Sequence, residues 1–347
     1  MNIENNEIKE IKINNKKITL MKPIYKSTLY HINKINIPKN GKKFQGAFSQ
    51  VYPFEHGKQN YILKIINDPN KKEIKGIEFH RDLQKKLNNN EREYFCYLIE
   101  YGMIKEEPHK FYVIMEDCFK ELNNYIDTLT KRTNIDLKNY QSLLIDCVKS
   151  IQIIHKYDYL HLDIKPENFL VDVYIYENNI KKKNIITQLK VIDFGFVKKI
   201  NTEAKSVFGT MLYIDMDWII EIIKGNSYIL TIQTDIYSLG INFIMLHFIF
   251  HLKVNGYNLL QPLLIFKQSL FKQSLFRQNN VNKVIQQVKN KYLEQVKNKY
   301  LKLINNILNK IQNLDFRRII KKCLRIEESY ESTQELIHEL EKLFYNS

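Results

Sequence analysis

The chain has 347 residues, and 44% hydrophobic with 26% charged residues excludes a wholly disordered chain or a collagen-like polymer. Lys and Arg number 53 against 38 Asp and Glu, so the formal net charge is +15 and the surface field is positive; yet no basic run is interleaved with aromatics as in a nucleic-acid module. The four cysteines, Cys96, Cys118, Cys147 and Cys323, form no CxxC pair, which argues against a disulfide framework or a zinc ribbon and points to a reducing, cytoplasmic setting.

Residues 1–37 are polar with scattered Ile and are read as an N-terminal extension, a loosely docked arm; the first residues are charged and lack the apolar core of a signal peptide. From Phe44 to Met115 short β-rich runs dominate (FSQVYPF, YILKII, FCYLIEYG, KFYVIM), interrupted by one charged amphipathic helix over Lys72–Leu87. After Cys118 the pattern turns helical, first in ELNNYIDTL at 121–129 and then over Leu137–Lys156. The most apolar stretch, Gly240–Leu252, carries Asn242, His247 and His251 and is too short to cross a bilayer, so it reads as a buried helix and no membrane partner is expected. Two duplications follow: FKQSL at 266–270 and 271–275, and QVKNKYLE at 287–294 followed by QVKNKYLK at 295–302. An eight-residue period overshoots two helical turns by about 80°. Val288, Tyr292, Val296, Tyr300, Ile304, Leu308 and Ile311 therefore make a drifting stripe. Two readings stay open, a slippage duplication carried on a surface helix, or a basic helix over 287–311 that offers a partner contact.

The chemistry concentrates in His161-Leu162-Asp163-Ile164-Lys165-Pro166-Glu167-Asn168-Phe169-Leu170, which puts a carboxylate, a cation and an amide on one short loop. Beyond it, after the strand-like LKVI, comes Asp193-Phe194-Gly195. Either segment alone says little; both in this order make a strong pattern.

In these segments the chain resembles the eukaryotic-type protein kinases, of the serine/threonine type, over about residues 40–345. The family's catalytic loop reads H-R-D-x-K-x-x-N and its metal motif D-F-G. The resemblance implies a two-lobed α+β protein-kinase fold, with a small β-rich lobe over 38–117 and a larger, mainly helical lobe over 118–345. The larger lobe would carry an extended hairpin at about 172–188 and a repeat-containing insert at about 255–312. It implies ATP and Mg²⁺ as cofactors and protein Ser/Thr hydroxyls as substrate. By the same resemblance Asp163 is the base for the substrate hydroxyl, Lys165 steadies the γ-phosphate, and Asn168 and Asp193 are the Mg²⁺ ligands. Lys64 in YILKII resembles the lysine that holds the α- and β-phosphates, with Glu78 as its partner on the following helix, since Glu73 stands too near that helix's start. Lys43, Gly46, Val51, Ile62 and Leu170 would frame the nucleotide. Met115 would be the gatekeeper, Glu116 and Cys118 would offer backbone groups to adenine, and Glu121 would lie near the ribose. Gly209-Thr210 with Tyr213 resembles the substrate-docking G-T-x-x-Y, and Asp235 the aspartate that ties down the catalytic-loop backbone.

The chain also departs from the family. At the three glycine positions of the phosphate loop stand Phe44, Gly46 and Ser49, so only Gly46 allows close backbone approach. Ile62 replaces a smaller residue against adenine. Leu162 replaces the arginine that clamps a phosphorylated activation loop, so a phosphate on Thr202 or Ser206 lacks its usual anchor. The A-P-E position reads Asp215-Met216-Asp217, and its usual arginine partner aligns with Glu331; Arg317, Arg318 or Arg325 is the substitute. Lys64, Asp163, Asn168 and Asp193 are all present, which favours an active serine/threonine kinase. A pseudokinase or kinase-fold scaffold is the alternative, resting on the weak glycine loop, Ile62 and the lost pairing at Asp215.

Overall fold

A computed structural model describes residues 10–13, 16–20, 25–26, 34–37, 44–45, 49–56, 59–67, 69, 71–117, 120–122, 137–178, 181–252, 256–275 and 283–345. The chain divides into two units, Met1–Phe119 and Lys120–Ser347.

The first unit is built on β-structure. Strands β1 (Glu10–Ile13), β2 (Lys16–Thr19) and β4 (Lys34–Ile37) form one small sheet in the order β2-β1-β4. Strands β3 (Tyr25–Lys26), β5 (Phe44–Gln45), β6 (Ser49–His56), β7 (Gln59–Asn67), β8 (Leu98–Met103) and β9 (Lys110–Glu116) form a second, in the order β3-β8-β9-β7-β6-β5. The period of two sorts the central strands into two faces. Tyr52, Phe54, Tyr61, Leu63, Ile65, Tyr112 and Ile114 point to one face and pack into a core that also takes Leu20 and Ile37. This corrects the reading of 1–37 as a loose arm: β3 pairs with β8, and Leu20 and Ile37 are core residues. Of the scattered isoleucines, Ile11, Ile13, Ile18, Ile35 and Ile37 lie in strands too short for alternation to reveal them.

Helix α1 (Lys71–Lys86) buries Gly76, His80, Leu83 and Gln84, with Leu87 just beyond, a stripe at helical spacing. His80 Nε2 bonds the Cys96 carbonyl (2.8 Å), and Gln84 makes paired bonds with the Leu98 backbone (3.0 and 2.7 Å), which fastens the helix to the strand that follows. One capped turn, α2 (Asn89–Arg92), leads into β8.

The second unit is mostly helical. Its strands are β10 (Lys120–Glu121), β11 (Tyr159–Leu160), β12 (Phe169–Asn178), β13 (Lys181–Val191), β14 (Lys198–Lys199), β15 (Glu203–Ala204) and β16 (Tyr228–Ile229). β12 and β13 form a long hairpin joined by β10, while β11 pairs with β14 and β15 with β16. The helices are α3 (Leu137–Lys156), α4 (Met216–Lys224), α5 (Ile232–Leu252), α6 (Gly256–Leu275), α7 (Lys283–Leu308), α8 (Leu314–Cys323) and α9 (Thr333–Tyr345). The helix expected at 121–129 lies largely outside the described residues, and Glu121 itself is in β10.

Helix α5 is the axis of this unit, buried on every side from Thr234 to Phe250, as a helix apolar all round must be. At Gly240 a Cβ would stand 2.7 Å from the Cβ of Cys323, so glycine there lets α8 approach closely. Val296, Tyr300, Ile304 and Leu308 on α7, with Ile311 after it, are buried too, and the Tyr300 hydroxyl bonds that of Tyr237 on α5. The apolar stripe of the repeat helix is thus part of this unit's own core. Among the described residues no helix is long and apolar enough to cross a membrane.

Candidate active site

In the second unit the site is a turn between β11 and β12. Two backbone amides at its start, those of His161 and Leu162, donate to the buried carboxylate of Asp235 on α5 (2.8 and 2.9 Å), which also accepts from His155 Nε2 (2.9 Å). Leu162 takes a left-handed φ of 63°, uncommon for a branched side chain, and the paired bonds to Asp235 hold it there.

The next residue, Asp163, is 4% exposed, and both its oxygens are occupied. Oδ1 accepts from the amide (3.0 Å) and the hydroxyl (2.7 Å) of Thr210. Oδ2 accepts from Lys165 Nζ (2.8 Å) and Asn168 Nδ2 (3.1 Å). Lys165 also reaches the Thr210 hydroxyl (2.9 Å), and Asn168 Nδ2 the Asp163 carbonyl (2.8 Å). Burial pushes the Asp163 carboxyl up, but the Lys165 ammonium and the Thr210 hydroxyl outweigh it, and the group is held below the ordinary carboxylate value. A buried carboxylate is thereby kept ionised.

The second short segment joins this one through the backbone. The Ile192 amide donates to the Asn168 carbonyl (2.9 Å). His161 accepts the Asp163 amide at Nδ1 (3.3 Å), which leaves Nε2 to donate to the Ile192 carbonyl (3.1 Å). Phe194 is buried with its ring centroid 5.6 Å from that of His161. Asp193 is exposed, at a φ of 64°, with Oδ1 on the Gly195 amide (3.3 Å). Leu170 on β12 is half-buried and pairs with Glu121 on β10.

Gly209 closes the loop over Asp163. Its φ is 99°, and a Cβ there would meet the Leu162 carbonyl at 2.7 Å. The missing partner of Asp215 is Arg325, whose Nη1 lies 2.8 Å from Asp215 Oδ2 and 2.8 Å from the Tyr228 hydroxyl. Arg317 instead bonds the Ile311 carbonyl.

In the first unit Lys64 pairs across the sheet with Val51 and Val113, and Ile62 with Met115. Val51, Ile62, Lys64 and Met115 therefore share one face, opposite the core of Tyr52 and Leu63. The Glu116 amide is bonded to the Tyr97 carbonyl (3.0 Å). Among the described residues Glu78 forms no ion pair with Lys64, and it stands near Tyr101. The register of α1 is the reason. Counting 100° per residue from His80 puts Glu78 about 160° away, on the opposite side, while Glu73 falls within about 20° of the buried stripe. Lys43, Gly46 and Cys118 lie outside the described residues.

The sequence matches the family model of the protein kinase domain over residues 44–338. It is 25% identical over 202 residues to a serine/threonine-protein kinase of Drosophila melanogaster, covering 56% of this chain and 24% of that protein. It is 26% identical over 203 residues to myosin light chain kinase A of Dictyostelium discoideum, covering 57% and 61%. To the dual specificity protein kinase Ttk of Danio rerio it is 26% identical over 191 residues, covering 51% and 18%. The match thus spans less than two thirds of the length of each of these relatives. A solved crystal structure of a kinase domain shares the fold, with a TM-score of 0.50 and 17% identity, covering 87% of this chain and 95% of that one. With the family model matching most of its length, this chain belongs to the protein kinase family.

Proposed function

We propose that the protein transfers the γ-phosphoryl group of Mg·ATP to serine or threonine hydroxyls of protein substrates, with Asp163 as the base. The observation that carries this reading is the buried Asp163 carboxylate, kept ionised by Lys165 and Thr210 and aimed by Asn168. A carboxylate so held orients a hydroxyl and accepts its proton late in transfer. Lys165, bonded to Asp163 and Thr210, is the cation that would steady the transferred group.

The donor atoms suit Mg²⁺, a hard cation that takes oxygen ligands. Asn168 uses its Nδ2 on Asp163, which leaves Oδ1 as its metal-binding atom, and Asp193 presents an exposed carboxylate. When bound, the metal neutralises phosphate charge. The shared face of Val51, Ile62, Lys64 and Met115 offers an apolar surface for a base and a cation for phosphates, and Glu73 is the acidic residue on the buried side of α1. The three described free cysteines, Cys96, Cys147 and Cys323, are buried thiols, which suits a reducing, cytoplasmic setting.

A second reading, nucleotide binding without turnover, is favoured by one observation, the bulky Ile62 on the same sheet face as Lys64 and Met115. The test is a radiolabel transfer assay on a peptide, with nucleotide affinity measured separately. Asp163→Ala should cut transfer by about 10²–10⁴-fold while leaving ATP affinity nearly intact. Equal transfer by mutant and wild type would sink the enzyme reading; Mg·ATP binding with no transfer by wild type would favour the second.

A further inference from the structure

Lys267 is 0% exposed, at a point in α6 where the pattern of burial calls for an apolar residue. It belongs to the first copy of the FKQSL duplication. A shift of five residues rotates a helix position by about 140°, and the matching lysine of the second copy, Lys272, is exposed. Lys267 Nζ donates to the carbonyls of Leu212 (2.8 Å) and Ile214 (2.6 Å) and lies 3.2 Å from the Tyr237 hydroxyl. A buried cation is costly unless each of its protons is met, and here three acceptors meet them.

The two carbonyls complete a series. Of the five from Thr210 to Ile214, that of Thr210 accepts from the Tyr213 amide (2.9 Å) and that of Met211 from the Ile214 amide (3.4 Å). That of Tyr213 accepts from Ser238 Oγ (2.8 Å). The remaining two, Leu212 and Ile214, both turn to Lys267. At its other end the segment is bonded to Asp163 through the amide and hydroxyl of Thr210. It is therefore pinned at three points, on the proposed base, on Ser238 and on Lys267.

We propose that Lys267 is a positioning residue for the segment 210–214, fixing how a substrate peptide lies against Asp163. The proposal rests on the kinase reading of Asp163. Burial pushes this lysine down to about 7, against the pull of the Asp215 charge. Both protonation states serve the clamp. The ammonium donates to both carbonyls and to the Tyr237 oxygen; the neutral amine keeps two N–H for the carbonyls and accepts the Tyr237 hydroxyl proton on its lone pair.

The test compares Lys267→Met, Lys267→Gln and Lys272→Met with the wild type in two measurements. Amide exchange over 209–216 reads the position of the segment directly, and steady-state kinetics read its consequence. Lys267→Met should speed exchange there by about tenfold and raise peptide KM by about tenfold, as expected when two strong hydrogen bonds are lost. The KM for ATP should stay within about twofold. Lys267→Gln, with two N–H on a shorter stem, should fall between, and it keeps the test open if the methionine variant does not fold. Lys272→Met should match the wild type. Unchanged exchange over 209–216 in a folded Lys267 variant would overturn the proposal. So would exchange that rises evenly through the whole second unit, which would mean a stability role alone. If the wild type transfers no phosphate, the kinase reading fails, and the exchange experiment still decides the role of Lys267.

Discussion

Phosphatase treatment is expected to leave most of the transfer activity on an exogenous peptide intact, because packing holds the segment from Asp193 to Asp217. Two short strand pairs anchor it, β11 with β14 and β15 with β16. Between them runs an aromatic series: Phe196 stacks on Phe208 (5.9 Å between centroids), Phe208 meets Trp218 edge to face (4.8 Å), and Trp218 stacks on Tyr228 (6.0 Å). Each such pair contributes about 0.5–1.5 kcal/mol beyond its buried area, so the three together give about 2–4 kcal/mol. That equals what one or two charge-assisted bonds to a phosphate would supply. Phe208→Ala removes two of the pairs, about 2 kcal/mol, which raises local opening about thirtyfold. Thr202→Ala loses only an exposed hydroxyl bond to the Lys199 carbonyl (2.7 Å), and Ser206→Ala an exposed hydroxyl. Initial rates on a peptide should therefore be near wild type for the phosphatase-treated protein, Thr202→Ala and Ser206→Ala, and clearly lower for Phe208→Ala. Thr210 stands outside the comparison because it bonds Asp163. A tenfold loss on dephosphorylation, restored by phosphate on Thr202 or Ser206, together with a neutral Phe208→Ala, would refute this reasoning.

Arg325→Met should lower stability to urea by about 2 kcal/mol. Breaking a buried ion pair costs about 3–5 kcal/mol, discounted here because the Arg325 side chain is 31% exposed; an unchanged urea midpoint would count against the pair. Gly209→Ala should cut transfer roughly a hundredfold, since its Cβ would displace the Leu162 carbonyl beside Asp163; a rate within a few-fold of wild type would show that the loop gives way freely. Lys165→Met should move the acid limb of the kcat–pH profile to higher pH. Asp163 acts as the carboxylate, burial alone raises its value, and the ammonium that lowers it is gone. In the wild type the same depressed carboxyl adds stability above the ordinary carboxylate value, lost as pH falls through its folded value. An acid limb that does not move would sink the assignment.

What was legible in the sequence follows the range of the interactions. Asp163, Lys165 and Asn168 lie within six positions, so one motif shows them together, and the structure bonds them together. Thr210 is 47 residues on, and its motif spoke of peptide docking, not of two hydrogen bonds to Asp163. The missing partner of Asp215 followed from charge, because two acids do not pair, but Arg325 stands 110 residues away along the chain, where no local pattern sets it apart from Arg317 or Arg318. Glu78 failed on register. The nearness of Glu73 to the helix start favoured Glu78, whereas the buried Gly76, His80 and Leu83 set the face of α1, and that face lies nearer Glu73. Lys267 was not legible as a single residue, for a lysine in a lysine-rich chain reads as a solvated charge. The duplication held the only trace, since five residues cannot put two copies on one face of a helix.

Leu162 shows how the departures depend on one another. An arginine in this position suits a phosphate that meets it; here the side chain is 4% exposed, on a residue whose amide is bonded to Asp235 at 2.9 Å. A guanidinium placed there would be buried with no phosphate to meet it, which costs several kcal/mol, and its longer stem would overpack the site. A leucine fills the same space at no electrostatic cost, and the aromatic series from Phe196 to Tyr228 supplies the order that a phosphate clamp would otherwise give. Restoring the arginine alone should therefore not restore phosphate control. Leu162→Arg is expected to lower the thermal midpoint by about 5 °C or more and to reduce activity, with or without phosphate on Thr202 or Ser206. Melting curves and peptide rates on the dephosphorylated and phosphorylated variant decide it. A Leu162→Arg protein of wild-type stability whose rate rises with phosphorylation would show that the leucine is incidental and that the segment can still be clamped.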